Sequence, residues 1–147
     1  VDPHRLAVYG GSQGGALTIA AAALHTGVKA AAPSVPFLCD IERASGITDA
    51  YPYREIADYL AVHRDGVESA LDVLAYIDGV TFAKRATAPA RFSAALMDPI
   101  CPPSTVAAAR NAWNGPTELA IWRYNGHEGG GPVDLEEAAA FVRRALG

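Results

Sequence analysis

Four short apolar runs punctuate the chain. Leu6–Tyr9 is β-branched and aromatic and stops at Gly10, the pattern of a buried strand. Val28–Val35, closed by Pro36, Arg91–Met97 and Glu118–Tyr124 are three further runs, each bounded by Pro, Gly or Asp. Between them the period lengthens. Gln13–Leu24 is built of strong helix formers, and Gly27 stands where a helix would stop. Tyr53–His63 and Val67–Ile77 carry apolar residues at helical spacing, and Pro52 suits a first helical turn. Residues 37–85 therefore read as a helical excursion with Gly66 and Gly79 as breaks. Pro103–Trp113 predicts another helix. Asp134-Leu135-Glu136-Glu137 has capping-box character and opens a last helix ending near Leu146. Strands alternating with helices predict an α/β fold, with a mostly parallel sheet covered on both faces. Such sheets place their chemistry at the carboxyl ends of the strands.

Composition adds bounds. The 147 residues are half apolar, enough for the core of one domain. A net charge of -4 gives no electrostatic reason to expect nucleic acid or an anionic membrane as partner. No apolar stretch reaches bilayer-spanning length, and no repeat is present. Cys39 and Cys101 have no metal or redox spacing, so two separate reduced thiols are expected, which fits a cytoplasmic setting. The chain opens on Val1 rather than methionine, so nothing about targeting follows from its first residues.

The chemistry concentrates at the strand ends. Gly10-Gly11-Ser12-Gln13-Gly14 matches G-x-S-x-G between a strand and a helix. In a nucleophile elbow the turn is sharp enough that Gly10 and Gly14 are required. It exposes Ser12 Oγ and aims the Gln13 N–H at a developing oxyanion. A dinucleotide fingerprint would need glycine in place of Ser12, and a phosphate-binding P-loop would need lysine in place of Ala16.

An activated serine needs a base and a group to orient it. Asp98 closes "ARFSAALMD" and His127 follows the last strand in "WRYNGHEGGG", giving the order Ser, Asp, His. Taken alone, Asp98 is equally a turn or capping residue before Pro99. His4, His25 and His63 sit before the first strand or at helix ends and compete poorly as the base. Glu128 reads as structural or solvated.

"GGSQGG", "PFLCD", "LMDPICPPST" and "GHEGGG" resemble the carbohydrate-esterase family of acetyl xylan esterases and cephalosporin C deacetylases, within the α/β-hydrolase superfamily. The resemblance extends through "PYREIADYL" and "YIDGVTFAKR". It implies Ser12 as nucleophile, Asp98 as acid, His127 as base and Gln13 as one oxyanion donor. It further implies removal of acetyl groups from xylo-oligosaccharides, other small sugars and cephalosporin C, without metal or cofactor, in a cytoplasmic homo-oligomer, typically a hexamer. Family members carry several strands before the elbow, and one of their loops donates a second oxyanion group from a tyrosine. The resemblance thus implies that residues 1–147 are the C-terminal part of one α/β-hydrolase domain, poorly folded and nearly inactive alone. A general carboxylesterase, a serine peptidase on the same fold and a noncatalytic hydrolase-like binding protein are the rival readings.

Overall fold

The computed structural model describes residues 2–147. Its four strands are β1 (Leu6–Gly11), β2 (Val28–Ser34), β3 (Ala90–Ala95) and β4 (Thr117–Trp122). They form one sheet in the order β1-β2-β3-β4, every neighbouring pair parallel. The helices are α1 (Gln13–Leu24), α2 (Ile41–Ile47), α3 (Tyr53–Val62), α4 (Val67–Ala75), α5 (Gly79–Ala83), α6 (Pro103–Ala112) and α7 (Gly131–Leu146), with a 3-10 turn at Arg64–Gly66. This is the α/β architecture that the alternation of runs predicts.

Alanine explains how the sheet is sandwiched. Ala30, Ala31 and Ala32 of β2 are almost wholly buried, as are all six residues of β3. The alanines among them let helices approach both faces of these central strands. α1, α5 and α6 touch one another in a row against the sheet, while α7 packs on β1, β2 and β3 apart from that row. Ile19, Phe92, Val106 and Trp113 fill the main core. Phe92 meets Trp113 edge-on at 5.4 Å, a geometry worth about 0.5–1.5 kcal/mol beyond area burial. A smaller core of Ile41, Ala44 and Tyr53 lies in the excursion. There the Cys39 N–H donates to Tyr53 Oη at 3.1 Å and ties α3 to the loop after β2.

Several boundaries differ from the sequence reading for local reasons. His25, not Gly27, ends α1: it turns extended, and its Nδ1 accepts the Gly27 N–H at 3.0 Å. Gly79 opens α5 rather than breaking a helix, because Asp78 caps it. Asp78 Oδ1 accepts from Val80 N–H, and its two oxygens also take the N–H groups of Asp40 and Ile41. Helices α2 and α5 are too short for apolar periodicity to resolve within the excursion. Pro52 precedes α3 as its N-cap instead of entering the first turn. The capping-box reading of Asp134 is overturned: α7 starts at Gly131, and Asp134 is buried within its first turn, bonded to the sheet.

β1 is an outer strand of this sheet, and Tyr9, Leu17 and Leu24 beside it are half or more exposed. An open strand edge next to apolar side chains favours association. The 147-residue chain produced alone is therefore expected to enhance the fluorescence of an apolar-surface dye and to aggregate on mild heating. A dye-silent, monomeric chain in light scattering would contradict this. Among the described residues, no helix is long and apolar enough to cross a membrane.

Candidate active site

The parallel register aligns Gly11 with Ser34 and Ser34 with Ser93, so the segments leaving β1, β2 and β3 emerge side by side. Ser12 is the single residue between β1 and α1, and it sits at φ 54 and ψ -118. A non-glycine residue in such a conformation costs on the order of 1–3 kcal/mol and persists only when its surroundings fix it. Three hydrogen bonds do so. The Ser12 N–H donates to the Ser34 carbonyl at 3.0 Å, and the Ser12 carbonyl accepts from Phe37 N–H at 2.9 Å and Ala16 N–H at 3.1 Å. Gly10 is required here, since a Cβ on it would overlap the Gly14 carbonyl. Gly14 is not, because a Cβ there meets nothing among the described residues. The second tight glycine is Gly15, where a Cβ would lie 2.8 Å from Pro36 Cα.

Asp98 occupies the turn after β3, its side chain fully buried. Its Oδ1 accepts the N–H groups of Ile100 at 2.8 Å and Cys101 at 2.9 Å, so it is also the turn-forming aspartate. The two readings of Asp98 coexist, one oxygen for each. Oδ2 lies 2.9 Å from His127 Nδ1, and His127 Nε2 lies 2.9 Å from Ser12 Oγ. A buried carboxylate accepts only, so the network assigns the imidazole proton to Nδ1 and leaves the Nε2 lone pair facing the serine hydroxyl.

The loop bearing His127 is held from several sides. The Met97 N–H donates to the Asn125 carbonyl at 3.1 Å, joining it to the Asp98 turn. Gly129 and Gly131 take positive φ, and Gly130 passes so close to the Trp122 indole that a Cβ would overlap the ring. Glu128 Oε1 accepts from Asn125 Nδ2 and Gly126 N–H, both at 3.1 Å. Hydrogen bonds from its own N–H, from Asn125 and from Gly126 hold its carboxyl below the ordinary value. Glu128 thus shapes the turn from an exposed position. His25 and His63 end α1 and α3, and the exposed His4 precedes β1; none joins the Ser12 cluster.

Gln13 is the first residue of α1, so its N–H is one of those the helix leaves without an acceptor, at the positive end of the helix dipole. Both cysteines are free and buried. Burial, then the Asp98 charge, push the Cys101 thiol up to about 12, against an opposing hydrogen bond with Ser12. It stays protonated and is no competing nucleophile. Asp98, Cys101 and His127 could each offer one metal-ligand atom within 4.8 Å of the others. A cation there would have to displace the Asp98–His127 hydrogen bond, so this donor set fits a hydrogen-bonded relay better than a resident metal.

A family model described as acetyl xylan esterase (AXE1) matches residues 1–145. The chain belongs to the acetyl xylan esterase family. Among solved structures, the acetyl xylan esterase from Paenibacillus sp. R4 superposes with a TM-score of 0.93 at 39% identity, over 99% of this chain and 46% of that one. Acetyl xylan esterase 1 from Thermoanaerobacterium sp. JW/SL YS485 superposes at 0.89 and 34% identity, over 100% of this chain and 47% of that one. A curated relative, acetyl esterase Axe7A of Xylanibacter ruminicola, is 32% identical over 131 residues, which are 86% of this chain and 28% of the relative. The chain thus spans about half the length of those two solved acetyl xylan esterases.

Sequence reasoning missed four residues that underlie the site: Ser34, Arg91, Ser93 and Asp134, all buried. A signal existed. Serine and arginine inside the otherwise apolar strands of an acetyl xylan esterase sheet are polar groups that burial obliges to find partners.

Proposed function

We propose that this chain carries the nucleophile, base and acid of a serine esterase that deacetylates xylo-oligosaccharides, other small acetylated sugars and cephalosporin C. The observation that carries this reading is the continuous hydrogen-bonded line from Ser12 Oγ through His127 to Asp98, with Ser12 raised on a strained elbow. Family membership supports the acetyl ester as the bond attacked.

Ser12 Oγ attacks the acetyl carbonyl while His127 Nε2 accepts its proton. The Asp98 carboxylate holds the imidazole in place and stabilises the cation that forms. The Gln13 N–H donates to the oxyanion. His127 then protonates the departing sugar oxygen, activates a water, and returns the proton to Ser12 as acetate leaves. Trapping with a fluorophosphonate tests the nucleophile, since an adduct on Ser12 requires an activated hydroxyl. Acetate release from acetylated xylo-oligosaccharides and from cephalosporin C, against an amide substrate, tests which acyl bond is cleaved. Faster amide cleavage would favour a peptidase.

Short acyl groups are expected to be preferred. In the full chain, kcat/KM on p-nitrophenyl esters should fall by roughly tenfold or more from acetyl to octanoyl, the scale on which one methylene too many or too few is discriminated. A rate that rises with acyl length would indicate an open apolar groove and contradict deacetylation.

A further inference from the structure

Beneath the line from Ser12 to Asp98 lies a second buried polar cluster that acyl transfer does not use. Ser34 and Ser93 are paired in register on β2 and β3, and both hydroxyls donate to Asp134 Oδ2, at 2.8 and 2.7 Å. Arg91 Nη1 donates to Asp134 Oδ1 at 2.7 Å, and Nη2 reaches Glu137. The Arg91 and Asp134 side chains are only 5% and 4% exposed. Burial works to raise the Asp134 carboxyl. The hydrogen bonds from Ser93, Arg91 and Ser34 outweigh it, with the Arg91 charge, and hold the carboxyl below its ordinary value.

A buried ion pair is weak grounds for stability, because apolar residues of similar shape often serve as well. What this one joins is more informative. Ser34 is the residue whose carbonyl holds the Ser12 N–H. Asp134 lies in the first turn of α7, and the chain from His127 reaches it through Gly129, Gly130 and Gly131. Three consecutive glycines form the most permissive backbone a chain can offer. Nothing intrinsic to them fixes the imidazole. The buried Gly129 lies over the cluster: a Cβ on it would stand 3.7 Å from Ser34 Oγ and 3.9 Å from Asp134 Oδ2.

We propose that Asp134 is a positioning residue for the Ser12–His127 pair, anchoring the glycine turn behind His127 to the same β2 residue that holds the elbow. One bracket thereby sets both partners of the proton transfer, which explains polar groups where an apolar core would pack equally well. The proposal rests on the reading of His127 as base.

The test uses the full chain, at a temperature far below its melting point. Asp134→Asn keeps the shape and removes the charge. It is expected to lower kcat on p-nitrophenyl acetate by roughly ten- to a hundredfold, the cost of slight misplacement of reacting groups, with KM little changed. Fluorophosphonate labelling of Ser12 should slow in parallel. Ser93→Ala, which removes one hydrogen bond and leaves the ion pair, should fold in any case and give a smaller fall of the same kind. Trp113→Phe, which loosens the core at the Ala88 end of the sheet, is the control: it lowers the melting temperature and leaves kcat unchanged. Unchanged kcat in Ser93→Ala and in folded Asp134→Asn would overturn the proposal, as would an equal kcat loss in Trp113→Phe. Failure of the base assignment would appear elsewhere, as retained activity in His127→Ala.

Discussion

Replacing Ser12 or His127 with alanine in the full chain is expected to remove nearly all esterase activity, lowering kcat on the order of a million-fold, as when members of a serine triad that act as a unit are lost. The expectation rests on connectivity. Among the described residues, Ser12 Oγ has one base within reach, His127 Nε2 at 2.9 Å, and that imidazole has one carboxylate behind it. The two losses should also be non-additive, the double variant being hardly slower than either single one. His25→Ala and His63→Ala serve as controls. Both sit at helix ends away from the cluster, and steady-state rates should scarcely move. Substantial turnover in His127→Ala would exclude the assignment.

Asp98→Asn is expected to be nearly as severe, with kcat lower by about ten-thousandfold, through a tautomer rather than a lost contact. Asp98 Oδ1 accepts two backbone N–H groups, so the amide oxygen of an asparagine must take that place. Its NH2 then faces His127 Nδ1 and donates to it. The imidazole proton moves to Nε2, where it points at Ser12 Oγ and can no longer receive the serine proton. The backbone fold of the turn is preserved, so melting temperature should change far less than rate. Single-turnover acylation by p-nitrophenyl acetate would show the defect directly, and an acylation rate within tenfold of the parent would contradict the tautomer argument.

The meeting of Ser12, Asp98 and His127 is legible in the sequence because each follows a strand. Leu6–Tyr9 before Ser12, "ARFSAAL" before Asp98 and "TELAIW" before His127 announce strands by composition, and the parallel rule says which end carries chemistry. The G-x-S-x-G pattern marks only one of the two tight glycines. Gly10 is indispensable, but the second tight approach falls at Gly15, because which backbone crosses the elbow depends on Pro36, distant in sequence. Asp134 was misread for the same kind of reason. "DLEE" before an alanine-rich helix has every local mark of a cap, and only the folded sheet shows Arg91, Ser34 and Ser93 waiting beneath it. Local pattern locates elements well, whereas the partners of buried polar groups are set by tertiary register. The excursion follows suit: its two longer helices announce themselves, while α2 and α5 exist because Asp78 holds the N–H groups of Asp40, Ile41 and Val80.

The sequence holds two tryptophans, and they stand at different ends of the molecule's business. Trp113 is packed edge-on against Phe92 in the core, whereas the Trp122 indole lies directly under Gly130, in the turn that carries His127. With Trp113 exchanged for phenylalanine, the indole left within these 147 residues is the one beside that turn. Any shift of the glycine segment as an acyl group settles on Ser12 would alter the surroundings of this one chromophore. If Ser12 is acylated as proposed, this indole is an optical gauge, needing no attached label, by which movement of the His127 turn can be timed against formation and decay of the acyl intermediate.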